Sequence, residues 1–373
     1  MAHMTTDVID TTAVAPAAGF LGGGFMAEVH SRAVRAARGT VAAVASSSAP
    51  ASRTAAEQLG AERPHDSATE LLADPQIDVV HVCTPNSTHR EYALEALRAG
   101  KHVVCEKPLA TTLDSALELA EAARAAGVVA TVPFVYRYHP MVREARARIA
   151  AGELGTLLSL QGSYTQDWLL EPDDENWRVD AEVGGDSRAF ADIGSHLVDL
   201  VEFVSGERIA RLAAVTRTVY PERGGVAVAT EDLAAVLAVT RSDVVVSLFV
   251  SQVAAGRKNR LAFELSGTRA AVQFDQESPE ELWFGARDGS RLLVRDVTQL
   301  GPDAARLSVV PAGHPMGYQD AFNAFVADTY AAVRGERPEG LPTFDDGVRA
   351  ARITDAVLRS ARDGGWVEVG DEA

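Results

Sequence analysis

Cysteine occurs at only two positions, Cys83 and Cys105, in a chain of 373 residues, too few for the framework of bridges that staples small secreted domains. Both end short apolar runs that read as buried strands, so reduced, inert thiols are expected. No stretch approaches the roughly 18 apolar residues of a membrane helix, and no basic segment leading into an apolar one marks a secretory leader. The expectation is a cytoplasmic protein with no membrane partner. Positive charge is also short: 35 Lys and Arg face 52 Asp and Glu, for a formal charge of -17. Such a balance repels the phosphates of nucleic acids and anionic lipids, so no nucleic-acid partner is expected. Internal repeats and low-complexity linkers are missing as well.

What is present is length and apolar content. With 47% hydrophobic residues the chain can build two domains that need neither disulfide nor metal to hold them. Residues 1–16 read as a flexible tail. From 17 to 138, short apolar runs at 18–21, 41–45, 79–83, 102–105 and 128–133 alternate with helix-period segments. In one of these, 91–98, Ala93, Leu94 and Leu97 share a face and Gly100 supplies a stop. That alternation predicts an α/β domain around a doubly wound parallel sheet.

From 139 to 373 the texture changes. A helix at 141–151 is followed by strand-like runs at 157–164, 209–219, 232–240, 244–253, 261–265 and 271–274. Several strands without intervening helices predict an α+β domain on a large, mostly antiparallel sheet with one face covered. The other face is available to a second copy, so a homo-oligomer, dimer or tetramer, is expected. Helices at 318–334 and 345–362 close the chain and are expected to pack back toward the first domain.

The first strand runs into Gly22-Gly23-Gly24-Phe25-Met26-Ala27, a G-x-G-x-x-G/A pattern at a strand-turn-helix junction. Gly22 permits the tight turn and Gly24 lets backbone approach a pyrophosphate. The first helical turn, with Phe25 and Met26, turns its dipole toward the phosphates. This is the fingerprint of a Rossmann dinucleotide site, with a plain glycine turn as the alternative. An NAD site usually carries Asp or Glu about 20 residues on; here Ser46, Ser47 and Ser48 stand in that place. With no carboxylate to repel a 2′-phosphate and Arg53 nearby, NADP is as plausible as NAD and slightly preferred, unless the serines only fill a turn.

Three further segments carry chemistry. Thr84-Pro85-Asn86-Ser87-Thr88-His89 lies where the sheet's carboxyl edge meets a helix start, so its amides and the Asn86 side chain can hold ribose or phosphate, or else cap the helix. In Glu106-Lys107-Pro108 the proline holds Lys107 extended and sends a cation from a strand end toward the nicotinamide. The alternative is a surface lysine in a turn. Asp192 and His196 are spaced i, i+4, so on a helix they share a face apart from the apolar stripe of Ile193, Leu197, Leu200, Val201 and Val204. An imidazole with pKa near neutrality can take a hydroxyl proton as hydride leaves carbon, and the carboxylate can orient it. Taken singly, Asp192 reads as an N-cap and His196 as a structural histidine. No further His, Cys or Asp cluster accompanies the pair, so no metal is expected.

In this order the three segments resemble the family of glucose-fructose oxidoreductase, inositol dehydrogenase and rhizopine catabolism proteins, over about residues 21–367. Tyr164-Thr165-Gln166-Asp167-Trp168, Trp177-Arg178 and Gly256-Arg257-Lys258-Asn259 look most like its levoglucosan dehydrogenase-like sugar dehydrogenases. The resemblance implies NAD(P)-dependent interconversion of a secondary alcohol and a ketone on a sugar, anhydrosugar or polyol, with Lys107, Asp192 and His196 catalytic. It implies cofactor contacts from Gly22, Gly24, Phe25, Met26, Ser46, Ser47, Arg53, Thr84, Pro85, Asn86, His89, Glu106 and Lys107. It places Tyr136, Arg137, Tyr164, Gln166, Trp168, Arg178, Asn259 and His314 around the substrate, and makes the Lys107-Pro108 bond cis. Trp168 and Trp177 could instead anchor the core, and Arg178 a surface ion pair. Two other activities stay open: glycoside hydrolysis through transient oxidation by bound NAD, and non-catalytic dinucleotide sensing, which the presence of Lys107 and His196 disfavours.

Overall fold

The computed structural model describes residues 15–370; the tail expected over 1–16 lies, for residues 1–14, outside them. The first domain carries the strands β1 (Ala17–Leu21), β2 (Thr40–Ala45), β3 (Arg63–Pro64), β4 (Val79–Val82), β5 (His102–Cys105) and β6 (Ala130–Thr131). They form one parallel sheet in the order β3-β2-β1-β4-β5-β6. The helices α1 (Phe25–Ala36), α2 (Ala49–Leu59), α3 (Ala68–Ala73), α4 (His89–Arg98) and α5 (Leu113–Ala126) connect them. The strand order reverses between β1 and β4, which opens a crevice at their carboxyl ends.

β1 is poor in β-branched residues, and its place in the middle of the sheet explains why it forms. Ala18 and Phe20 are fully buried. A Cβ at Gly19 would come within 2.8 Å of the Leu71 side chain, so glycine there lets α3 lie on the strand. The run expected over 128–133 shortens to β6, and the two-residue β3 is too short to leave a period-two signal.

The second domain begins with α6 (Pro140–Ala150), whose proline occupies the first turn, where no amide hydrogen is needed. Its large sheet holds β7 (Leu157–Thr165) and β8 (Ile209–Arg217). A separate ribbon follows, β9 (Glu222–Arg223) with β10 (Val226–Ala227). The large sheet continues with β11 (Leu233–Thr240), β12 (Val245–Ser251), β13 (Arg260–Gly267), β14 (Ala270–Asp275), β15 (Glu281–Ala286), β16 (Gly289–Val294) and β17 (Val367–Glu368). The order is β16-β15-β14-β13-β7-β12-β11-β8-β17, antiparallel except where β7 lies parallel to β12. β15 and β16 were absent from the sequence expectation: β16 is exposed along nearly its whole length, so it shows no apolar alternation to read.

One sheet face is covered by α8 (Ser195–Ser205), which follows the short α7 (Ala181–Gly184) and buries Leu197, Leu200, Val201 and Val204. α9 (Pro302–Leu307), α10 (Tyr318–Val333) and α11 (Phe344–Asp363) complete the chain. Phe322, Phe325, Val326 and Tyr330 of α10 share a core with Ala18, Phe20 and Val79 of the first sheet. α11 gives Phe344 and Val348 to the first domain's core, and Ile353, Ala356 and Val357 to the second's. Burial on that scale makes the two halves one packed body.

Candidate active site

A cavity of about 700 Å³ runs from the glycine-rich turn to the end of β5 and is closed by side chains of the second domain. At its first end Gly22 has φ 96°, and a Cβ there would stand 2.7 Å from the Cys83 carbonyl oxygen. Gly23 is held against Ala55, where a Cβ would approach to 2.5 Å. Gly24, by contrast, has nothing within 4 Å of the Cβ position, and no side chain caps α1 behind it. Open space in front of uncapped first-turn amides is what an anionic ligand requires. Phe25 and Met26 line the same wall.

Ser46 and Ser47 border the cavity, while Ser48 caps α2 by accepting from the Ala51 amide at 3.3 Å. Arg53 does not reach it. Carried outward on α2 and mostly exposed, it stands 3.8 Å from Asp66, so the cation that tipped the reading toward NADP is not at the site.

Thr84, Pro85, Asn86 and His89 form the next stretch of wall. Asn86 does not cap the helix that follows; its Nδ2 donates to the Gly184 carbonyl at 2.9 Å and ties the second domain to the sheet edge. His89 sets its ring nitrogens 2.9 Å from the Thr84 carbonyl oxygen and 2.8 Å from that of Pro108, fixing the turn that carries Lys107. The Lys107-Pro108 bond is cis.

Lys107 Nζ donates to Asp192 Oδ1 at 2.5 Å and to the Asp192 carbonyl oxygen at 3.0 Å. Gln252 Nε2 donates to the other carboxylate oxygen at 2.9 Å, and Arg178 Nε lies 3.5 Å from Oδ1. Burial alone would raise the Asp192 pKa, but the charges of Lys107 and Arg178 bring it down to about 2. This differs from the expected Asp192-His196 pair. Residues Phe190–Gly194 form a π turn, and the Asp192 carboxylate takes its hydrogen bonds from Lys107 and Gln252, while it and His196 act on each other through charge. His196 is buried edge-on to Tyr136, at 5.1 Å between centroids, and its Nδ1 has no partner. Burial, then the charge of Lys107, lowers its pKa to about 3, far from the neutrality expected of it.

Behind Gln166 and Trp168, which line the cavity, runs a hydrogen-bonded chain. Tyr136 and Tyr164 join through their hydroxyls; Tyr164 donates to Asn259 Oδ1 at 2.7 Å, as does Gln166 Nε2 at 2.8 Å. Trp168 Nε1 donates to Gln166 Oε1 at 2.8 Å. Gln166, Trp168, Trp177 and Arg178 face the cavity, with the Arg178 guanidinium 4.3 Å over the Trp177 ring.

Of the expected site residues, Tyr136, Tyr164, Asn259 and His196 lie behind the cavity's lining, and Arg137 and His314 are held elsewhere. Arg137 is buried, bonded bidentately to Asp199 and again to Asp346 at 2.6 Å, so its donors are spent on joining helices. His314 lies in an exposed loop, where its carbonyl oxygen accepts from Arg295 at 2.8 Å. Sequence reasoning also passed over Gln252, whose signal was a polar side chain closing the apolar run over 244–253. It missed Asn176 and Tyr92 on the cavity wall as well.

Comparison with known proteins accords with this geometry. Residues 17–134 match the oxidoreductase family with an NAD-binding Rossmann fold, and residues 142–273 the GFO/IDH/MocA C-terminal domain. Levoglucosan dehydrogenase of Pseudarthrobacter phenanthrenivorans is 31% identical over 94% of this chain and 97% of its own. A solved levoglucosan dehydrogenase in complex with NADH and levoglucosan superimposes with a TM-score of 0.90 at 30% identity, over 96% of this chain and 100% of that one. An inositol dehydrogenase homolog complexed with NAD+ from Azotobacter vinelandii gives 0.87 at 29% identity, over 95% and 98%.

Proposed function

Because the chain belongs to the GFO/IDH/MocA family of oxidoreductases, we propose that it interconverts a secondary alcohol and a ketone on a sugar, anhydrosugar or polyol, using NAD. The observation that carries this is the Lys107-Asp192 pair at one end of a cavity whose other end is the open glycine turn. Bound there, a nicotinamide dinucleotide supplies a hydride acceptor or donor.

The chain's own groups manage the proton and the orientation. Asp192 takes two hydrogen bonds from Lys107, which leaves a third ammonium hydrogen for the reacting oxygen. That bond stabilises alkoxide character during oxidation and polarises the ketone during reduction. His196, an uncharged imidazole packed edge-on to Tyr136 and within electrostatic reach of Lys107, is the base assigned to receive the hydroxyl proton. Gln166, Trp168 and Arg178 present one amide, one aromatic edge and one bidentate donor to a polyhydroxylated ring.

NAD is preferred because, among the described residues, the β2 end offers Ser46 and Ser47 but no cation for a 2′-phosphate. The test is to incubate purified protein with NAD and NADP separately against sugars, anhydrosugars and polyols, following reduced nicotinamide. Activity with NAD and at least one such substrate is expected; no reduction with any pair rejects the reading.

A second copy is expected on the open sheet face. Val215, Leu237, Val245 and Phe249 are exposed there on adjacent strands, an apolar patch on an otherwise acidic protein. Light scattering should give a multiple of the 39.5 kDa chain, and Leu237→Lys with Phe249→Glu should return it to one.

A further inference from the structure

Behind the cavity a line of hydrogen bonds crosses the core of the first domain. Tyr330 Oη on α10 lies 3.1 Å from His81 Nε2, in the middle of β4. His81 Nδ1 lies 2.9 Å from His30 Nδ1 on α1. His30 Nε2 lies 2.9 Å from Glu106 Oε1. Glu106 Oε2 accepts from the Lys107 amide at 3.0 Å, and Glu106 borders the cavity beside Lys107. His30, His81 and Tyr330 are fully buried and Glu106 nearly so. Their surroundings are apolar: Phe20 stacks on His81 at 4.9 Å and Phe322 lies 4.7 Å from His30.

Two imidazoles and a phenol in such a core carry a desolvation cost that apolar side chains would not. Here every polar atom of the line is partnered, and such a network fixes its members in one arrangement. Only one proton arrangement leaves no donor idle. Among the described residues Tyr330 has no second acceptor, so its hydroxyl donates to His81 Nε2. His81 then donates from Nδ1 to His30 Nδ1, and His30 donates from Nε2 to Glu106. The reverse order would strand the Tyr330 proton in an apolar core.

We propose that Tyr330, His81 and His30 are positioning residues that hold Glu106 as an oriented carboxylate at the reacting end of the cleft. There its fixed negative charge favours the oxidised, cationic nicotinamide over the reduced, neutral one. This rests on the dehydrogenase reading above for the identity of the ligand, but not for the hydrogen-bond line itself. The groups facing Glu106 agree with a charged carboxylate. Burial acts to raise its pKa, and the His30 hydrogen bond, Lys107 and His196 together bring it below the ordinary carboxylate value. His81 is kept neutral by burial, then by His30.

Two measurements on the full chain test it. Long-range nitrogen-proton NMR of histidine-labelled protein, assigned with single His variants, should show His30 protonated at Nε2 and His81 at Nδ1. An imidazolium, or the opposite tautomer at either ring, overturns the line. Calorimetric titration with NAD+ and NADH should then show that Glu106→Gln shifts the ratio of their dissociation constants toward NADH by roughly tenfold, the scale of one nearby charge. His30→Leu, which leaves the carboxylate but frees its orientation, should shift it in the same direction by less, and the double variant no further than Glu106→Gln alone. A normal ratio in His30→Leu beside a shifted one in Glu106→Gln overturns the positioning role, and a normal ratio in both overturns the electrostatic one. If His30→Leu does not fold, the tautomers of the unaltered protein decide. Failure of that protein to bind either dinucleotide rejects the dehydrogenase reading and the cofactor part of this one, and leaves the tautomer result standing.

Discussion

Lys107 Nζ and Asp192 Oδ1 meet at 2.5 Å across 85 residues of sequence, joining the first domain's sheet edge to the π turn that opens the second domain's main helix. In the reaction proposed above, the bond makes both domains contribute to one centre. Asp192 is itself fixed by Gln252 on the large sheet, so the ammonium is aimed from two sides.

Replacing Lys107 with Met should therefore leave NAD binding within a few-fold of normal while lowering kcat by about two orders of magnitude or more, the usual scale for an acid-base group. Calorimetric titration and steady-state kinetics on the same preparation check this. Undiminished turnover would remove Lys107 from the chemistry.

Gln252→Leu keeps the volume but withdraws one donor from Asp192. Since the carboxylate keeps Lys107, the expected loss is smaller, about tenfold in kcat, with KM little changed. A change confined to KM would mean that Gln252 contacts substrate instead.

The pH profile of kcat/KM reports ionisations of the free enzyme. With the His196 pKa depressed to about 3 by burial and by Lys107, the profile should show no acid limb near pH 6.5 and should stay level down to about pH 5. A limb near pH 6.5 that vanishes in His196→Ala would refute the depressed value.

Arg137→Met should lower stability by about 3 kcal/mol rather than raise KM, because it removes one partner from a buried ion pair. Chemical denaturation gives the first quantity and substrate titration the second. A large KM effect with unchanged stability would restore Arg137 to the substrate site.

Acid should loosen the fold well above the carboxylate range. Burial lowers the pKa values of His139, to about 4, and of His196, to about 3, and that of His81 also falls. Between pH 6.5 and about 4 the unfolded chain binds protons that the folded one excludes, so each such group withdraws about 1.4 kcal/mol per pH unit as pH falls through that window. Asp199, whose carboxyl burial pushes upward against the pull of Arg137, acts in the opposite direction and offsets part of this. Calorimetry from pH 7 to 4 should show Tm falling steadily; a Tm that is flat or rising on acidification contradicts the balance.

The sequence by itself determined the parts of this protein that depend on local periodicity and on short-range backbone chemistry. The alternating runs, the glycine turn at Gly22 and Gly24, and the Lys107-Pro108 turn could all be read because each is encoded within a few residues of itself. The short β3 and the exposed β16 could not, since they form only against neighbours already in place. Tertiary structure alone decided the partnerships. Arg137 looked like a ligand group until Asp199 and Asp346 were seen to take its donors, and Arg53 looked like a phosphate partner until α2 carried it outward. Asp192 and His196 looked like a hydrogen-bonded pair until Lys107 and Gln252 were seen to take the carboxylate and burial silenced the imidazole's charge. A residue's type and spacing say what chemistry it can do. Which atom it meets, and at what dielectric cost, is set by segments tens to hundreds of residues away.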